Sequence, residues 1–216
     1  MIGNLLIIGD SYSTYEGYNP EGYAVYYSKE GRGDPEFMVT KMDVRDTWWM
    51  RLVSSTDAHL VHNNSWSGST LCYTGYSGDC SHTSSFIYRY RQLKAQGFFE
   101  ENKIDTVLVF GGTNDSWANA PLGELKYDNF EESDLFSVLP AFSYFMKTLK
   151  EDLPESRIVF IANCDIKVEI VEAIKTLGEH FGIEVVALSG ITKEHGHPNA
   201  QGMKEIFEQA KAVLEK

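Results

Sequence analysis

Five short apolar runs recur along the chain: Leu5–Ile8, His59–His62 with Leu60-Val61 at its centre, Thr106–Phe110 (TVLVF), Ile158–Ala162 (IVFIA) and Ile183–Leu188 (IEVVAL). The first, third and fourth are apolar almost without a break, the pattern of strands covered on both faces, as in parallel sheets. Helical patterns lie between them. Val138, Phe142, Phe145, Met146 and Leu149 share one face of a predicted helix over 138–150, and Ile166, Ile170, Ile174, Leu177 and Phe181 do so over 166–181. Met203, Ile206, Phe207, Ala210, Val213 and Leu214 repeat at helical spacing in the tail, and further helices are expected near Asp46–Ser54 and Phe86–Gln96. Strands alternating with helices predict an α/β fold: a three-layer α/β/α sandwich around a central five-stranded parallel sheet.

Two stretches break the alternation, one over about 14–43, rich in Gly, Tyr and Pro, and one over about 116–134. Long aperiodic loops in a compact domain are functional lids or disordered segments. Both follow strands, so both are expected at the same edge of the sheet. With 216 residues the chain reads most simply as one domain, 1–216, large enough for a real core. Lys and Arg number 19 against 31 Asp and Glu, a net charge of −12 that repels polyanions, so nucleic acid is not an expected partner and neither is an acidic membrane surface. No apolar stretch approaches the roughly 20 residues that cross a bilayer. The start, MIGNLLIIGD, has no basic region and no small-residue cleavage site, so the expected location is cytoplasmic; a secreted chain trimmed of its leader would present the same start. The three cysteines form no CxxC and suit thiols in a reducing compartment, with a Cys72–Cys80 pairing left open.

Ligands of open parallel sheets bind outside the carboxyl ends of the strands. After the first run comes Gly9-Asp10-Ser11; after the second, NNSWSGST over 63–70; after the third, GGTND over 111–115; after the fifth, EHGHPNAQGM over 194–203. Polar and small residues and a histidine therefore converge on one rim. Ester hydrolysis needs a nucleophile, a base and donors for an oxyanion. Ser11 can be the nucleophile and His197 the base. The backbone N–H groups of Ser11 and Gly68 and the side-chain amide of Asn114 can be the donors. A glycine at 68 allows close backbone approach, and Asn114 offers a neutral donor where an ionised aspartate could not.

GDS after the first strand, a glycine in NNSWSG, GTND, and HP near the end resemble, in order and spacing, the four blocks of the SGNH hydrolases, the GDSL-like esterases and lipases. DTWW, NNSWSGSTLC, GGTNDSWANAPLGELKY and GHPNAQGM look like a bacterial subgroup of that superfamily. The resemblance implies Ser11, Gly68, Asn114 and His197 as the name-giving residues, a flavodoxin-like strand order 2-1-3-4-5 and no cofactor. It spans nearly the whole chain. One position departs from the pattern: where the family has Asp three residues before the histidine, this chain has Glu194. Either Glu194 orients the imidazole, or a main-chain carbonyl does so and the site runs on a Ser–His dyad.

Aromatic residues flank these blocks. Tyr12, Trp66 and Trp117 are candidate substrate contacts, as rings suited to a sugar or a small acyl group, and they suit self-packing loops equally well. His195 and His197 at i, i+2 in a loop are not a metal-ligand motif, so no metal is expected. The chain is thus expected to be a serine esterase acting on a small-molecule ester, an acetyl ester and an acylated sugar foremost, without a cofactor. The alternatives are a lipase or thioesterase for longer chains, an inactive glycan- or metabolite-binding relative, and a phosphoesterase.

Overall fold

The computed structural model describes residues 1–33 and 38–216. Its central strands are β1 (Asn4–Gly9), β2 (His59–Ser65), β3 (Thr106–Gly111), β4 (Arg157–Ala162) and β5 (Glu184–Ala187). They pair in the order β2-β1-β3-β4-β5, every neighbour parallel. The main helices are α1 (Trp48–Ser55), α2 (Phe86–Ala95), α3 (Val138–Asp152), α4 (Val168–Phe181) and α5 (Ala200–Leu214). Thr47, Ser85 and Asn199 cap α1, α2 and α5, each accepting from a backbone N–H of the first turn.

Strand alternation sorts the core into two layers. Leu6, Ile8, Val107, Val109, Ile158 and Phe160 face α2, α3 and α4. Leu5, Ile7, Leu108, Phe110, Val159 and Ile161 face α1 and α5, where Trp48 and Trp49 are fully buried. Each such side chain contributes about 1.5–3 kcal/mol on burial. The three cysteines are free thiols, Cys72 and Cys80 buried. Among the described residues no helix is long and apolar enough to cross a membrane.

One strand runs past its predicted end. Apolar residues stop near His62, yet β2 continues to Ser65, with Asn63, Asn64 and Ser65 opposite Ile7, Ile8 and Gly9. Their polar groups are satisfied locally: Asn63 Nδ2 donates to the Ser13 carbonyl, and the Ser65 hydroxyl to Asn63 Oδ1. Gly9 lies opposite both Ser65 and Phe110, so the chain leaves β1, β2 and β3 side by side on one rim. Both insertions leave from this rim. Within 14–43, whose residues 34–37 lie outside the described part, Tyr27–Ser28, Arg32–Gly33 and Met38–Lys41 form a small sheet. The second insertion starts as the short helix Thr113–Trp117 and ends in a 3₁₀ turn over Glu132–Phe136.

Candidate active site

β1 delivers Ser11 on a single 3₁₀ turn, Ser11–Ser13. Asp10 Oδ1 accepts the Tyr12 N–H at 3.1 Å, while the Ser11 N–H, first in the turn, has no acceptor inside it. The turn ends at Thr14, where the first insertion departs.

His197 arrives on a tight hairpin. Lys193-Glu194 pairs antiparallel with His197-Pro198 across His195-Gly196, whose φ angles are 50° and 81°. Two left-handed residues are what a two-residue hairpin loop demands, and glycine and histidine both tolerate that region. The turn brings the His195 carbonyl to 3.3 Å from His197 Nδ1, and the ring's other nitrogen, Nε2, lies 2.9 Å from Ser11 Oγ. With the ring proton on Nδ1, donated to that carbonyl, Nε2 accepts from the serine hydroxyl.

Glu194 does not reach the ring. Its Oε1 accepts from Asn199 Nδ2 at 2.9 Å, while Asn199 Oδ1 caps α5. The carboxylate braces the helix cap, and a main-chain carbonyl takes the place opposite Nδ1. Rings hold the imidazole instead. Tyr26 stacks flat on it, with centroids 3.6 Å apart and planes at 9°, and Trp117 meets it edge-on at 5.8 Å. Below the hairpin, the Tyr12 hydroxyl donates to the Gly196 carbonyl at 2.5 Å and the Tyr27 hydroxyl to the Pro198 carbonyl at 2.8 Å. Burial pushes the His197 pKa down to about 4; the carbonyl of His195 works the other way and the nearby Lys193 cation adds to the depression.

The opposite wall is built from the loop after β2 and the turn after β3. Gly68 has a φ of 80°, and a Cβ there would meet no atom within 4 Å. Left-handed backbone, not crowding, calls for glycine at this point. Asn114 follows Gly112, also left-handed, in the short helix Thr113–Trp117. Its Nδ2 donates to the Ser69 carbonyl at 3.0 Å, and its Oδ1 accepts from the Tyr76 hydroxyl at 3.0 Å. Charged groups lock this wall from below. The Asp115 carboxylate accepts the N–H groups of Leu71 and Cys72. The fully buried Arg89 donates to the carbonyls of Gly9, Asn64 and Ser84, to Asn64 Oδ1 and to the Ser69 hydroxyl. Burial pulls Arg89 down to about 10, raises Asp115, and pushes Asp10 up to about 7.

A cavity of about 420 Å³ opens over Ser11 and His197, with Gly68 and Asn114 beside them and Val25, Tyr26, Tyr76 and Trp117 as walls. Of the three candidate contacts, Trp117 lines it. Tyr12 does not: its ring is wholly buried against Phe110, so no ligand touches it. Trp66 packs on Tyr23 at 4.3 Å and lines a neighbouring cavity. Sequence reading missed Tyr26, Tyr76 and Arg89. Arg89 left a trace, since it sits on the apolar face of α2 with Phe86, Tyr90 and Leu93. Among the described residues no group of three or more His, Cys, Asp or Glu side chains is arranged to hold a metal ion.

Residues 3–214 match the GDSL-like lipase/acylhydrolase family. A candidate GDSL-like lipase from Bacteroides ovatus has a similar structure, with a TM-score of 0.88 and 34% identity over 100% of this chain and 99% of that one. Another, from Bacteroides uniformis, has a TM-score of 0.86 and 38% identity over 99% and 96%. An acetyl xylan esterase from Butyrivibrio proteoclasticus shares the fold at 21% identity and a TM-score of 0.62, over 99% of this chain and 63% of that one. No curated protein matches the chain.

Proposed function

This chain is an ester-bond hydrolase of the GDSL-like lipase/acylhydrolase family, and we propose that it removes small acyl groups, acetyl foremost, from a hydroxylated substrate such as a sugar through a Ser11–His197 dyad. The observation that carries this reading is the 2.9 Å contact of Ser11 Oγ with His197 Nε2, on the floor of a cavity that Gly68 and Asn114 also line. The cavity, about 420 Å³, is walled by Val25, Tyr26, Tyr76 and Trp117, which suits a small acyl group better than a long chain.

In this reading Ser11 Oγ attacks the ester carbonyl carbon as its proton passes to His197 Nε2. The carbonyl oxygen becomes an oxyanion and takes hydrogen bonds from the Ser11 and Gly68 N–H groups and from Asn114 Nδ2. The C–O bond to the alcohol then breaks, and the alcohol leaves with the imidazolium proton. Water repeats the sequence on the acyl-serine, releasing the carboxylic acid and restoring the Ser11 hydroxyl. The His195 carbonyl fixes the ring tautomer. The Tyr26 face steadies the ring plane and meets the positive charge that forms on it, two duties that a carboxylate performs in a triad.

The test is turnover of p-nitrophenyl acetate. Ser11→Ala is expected to lose at least about 10⁴-fold in kcat while melting at the wild-type temperature. A folded Ser11→Ala with wild-type turnover would overturn the assignment.

A further inference from the structure

The cavity over Ser11 adjoins a second cavity of about 360 Å³, which runs past Trp66, Thr70, Asp79 and Thr83. Gly68 and Tyr76 line both. Gly68 has no side chain, so Tyr76 is the side chain common to the two linings. Tyr76 stands at the tip of a hairpin in which Thr74-Gly75 pairs with Gly78-Asp79. The hairpin is pinned at its base: the Thr74 hydroxyl donates to the Phe136 carbonyl at 2.7 Å, and the Cys80 N–H to the Tyr73 carbonyl at 2.8 Å. Tyr76 itself is 57% exposed, so core packing does not account for its position. Its hydroxyl reaches across to Asn114 Oδ1 at 3.0 Å, and Asn114 Nδ2 is tied to the Ser69 carbonyl on the far side.

We propose that Tyr76 sets the acyl size limit of this site and positions Asn114. The ring closes the acyl cavity against its neighbour. The hydroxyl holds the amide oxygen, which keeps Nδ2 turned toward the Gly68 wall where an oxyanion would form. The side chain thus couples selection to catalysis, because the group that limits acyl length also orients an oxyanion donor. Removing the ring joins the two cavities. The added space, lined by Trp66, Thr70, Ser77, Asp79 and Thr83, accepts a longer acyl group.

This inference rests on the esterase reading, and the experiment separates the two. Wild type, Tyr76→Phe and Tyr76→Ala are assayed on p-nitrophenyl acetate, butanoate and hexanoate, with Ser11→Ala as the control for the reading itself. Tyr76→Phe keeps the wall and loses the hydrogen bond; its kcat is expected to fall about 3–10-fold on every ester, with KM and chain-length preference unchanged. Tyr76→Ala is expected to raise the kcat/KM ratio of hexanoate to acetate at least about tenfold. Acetate turnover that depends on Ser11, together with an unchanged chain-length ratio in Tyr76→Ala, overturns the size-limit role. A Tyr76→Phe enzyme with wild-type kcat overturns the positioning role. Tyr76 is at an exposed hairpin tip, so both variants are expected to melt with the wild type, which circular dichroism checks.

Discussion

The two halves of the site are held by opposite means. The Gly68–Asn114 half is set from within: Arg89 and Asp115, both buried, gather backbone and hydroxyl groups of the β1 and β2 exits, Asp115 itself following β3. The His197 half is set from outside, by a two-residue turn and by aromatic rings that the insertions lay against it. Buried hydrogen-bonded groups belong to the folding core, so disturbing them costs stability together with activity. A stacked ring at the rim costs little stability, so disturbing it changes catalysis almost alone. The Gly68–Asn114 wall is therefore tied to the sheet, with Tyr76 reaching it from the rim, whereas His197 is held only as well as its covering loops are.

The largest expected effect lies on the buried side. Arg89→Met strands five acceptors that the guanidinium now satisfies. It is expected to remove at least about 3 kcal/mol of stability, read as a drop of roughly 10 °C in Tm. A variant that melts with the wild type would erase the contrast. On the rim, Tyr26→Leu is expected to lower kcat about 3–10-fold, the worth of one aromatic stack, with Tm unchanged. Tyr26→Phe keeps the stack and should keep the rate. Loss of rate in both variants would mean that the ring face is not what holds the imidazole. The smallest effect is expected at Glu194. Glu194→Gln removes the charge from a group that braces Asn199 and not His197, so kcat should stay within about threefold, whereas loss of a triad acid costs about 10⁴.

The same contrast governs what could be read from the chain. β1, β3 and β4 were legible because a doubly covered strand must be apolar throughout; Ser11 and Asn114 stood out because each follows such a strand, and Gly68 and His197 because they follow the second and fifth apolar runs. The polar end of β2 was hidden, since Asn63 bonds Ser65 and the Ser13 carbonyl, and Asn64 bonds Arg89, rather than water. Glu194 drew attention by its place in the sequence, yet a hairpin with two left-handed residues turns the His195 carbonyl to the ring and leaves Glu194 to the α5 cap. Tyr12 stands just before the Tyr-rich stretch and Tyr26 within it, and no local pattern says that the first goes beneath the hairpin while the second covers the imidazole. Which ring meets which turn is decided by tertiary packing.

The most direct measurement is the rate of covalent labelling by a fluorophosphonate from pH 3.5 to 8, with the labelled peptide identified by mass spectrometry. A histidine whose buried ring titrates at about 4 stays neutral, and able to take the serine proton, through mildly acidic pH. The label is expected on Ser11, at a rate that is flat above about pH 5, halves near about pH 4 as the ring takes up a proton, and collapses in His197→Ala. Labelling at another residue, a rate indifferent to His197, or a half-maximum at or above the ordinary imidazole value of about 6.5 would contradict a dyad built from a carbonyl and a stacked ring.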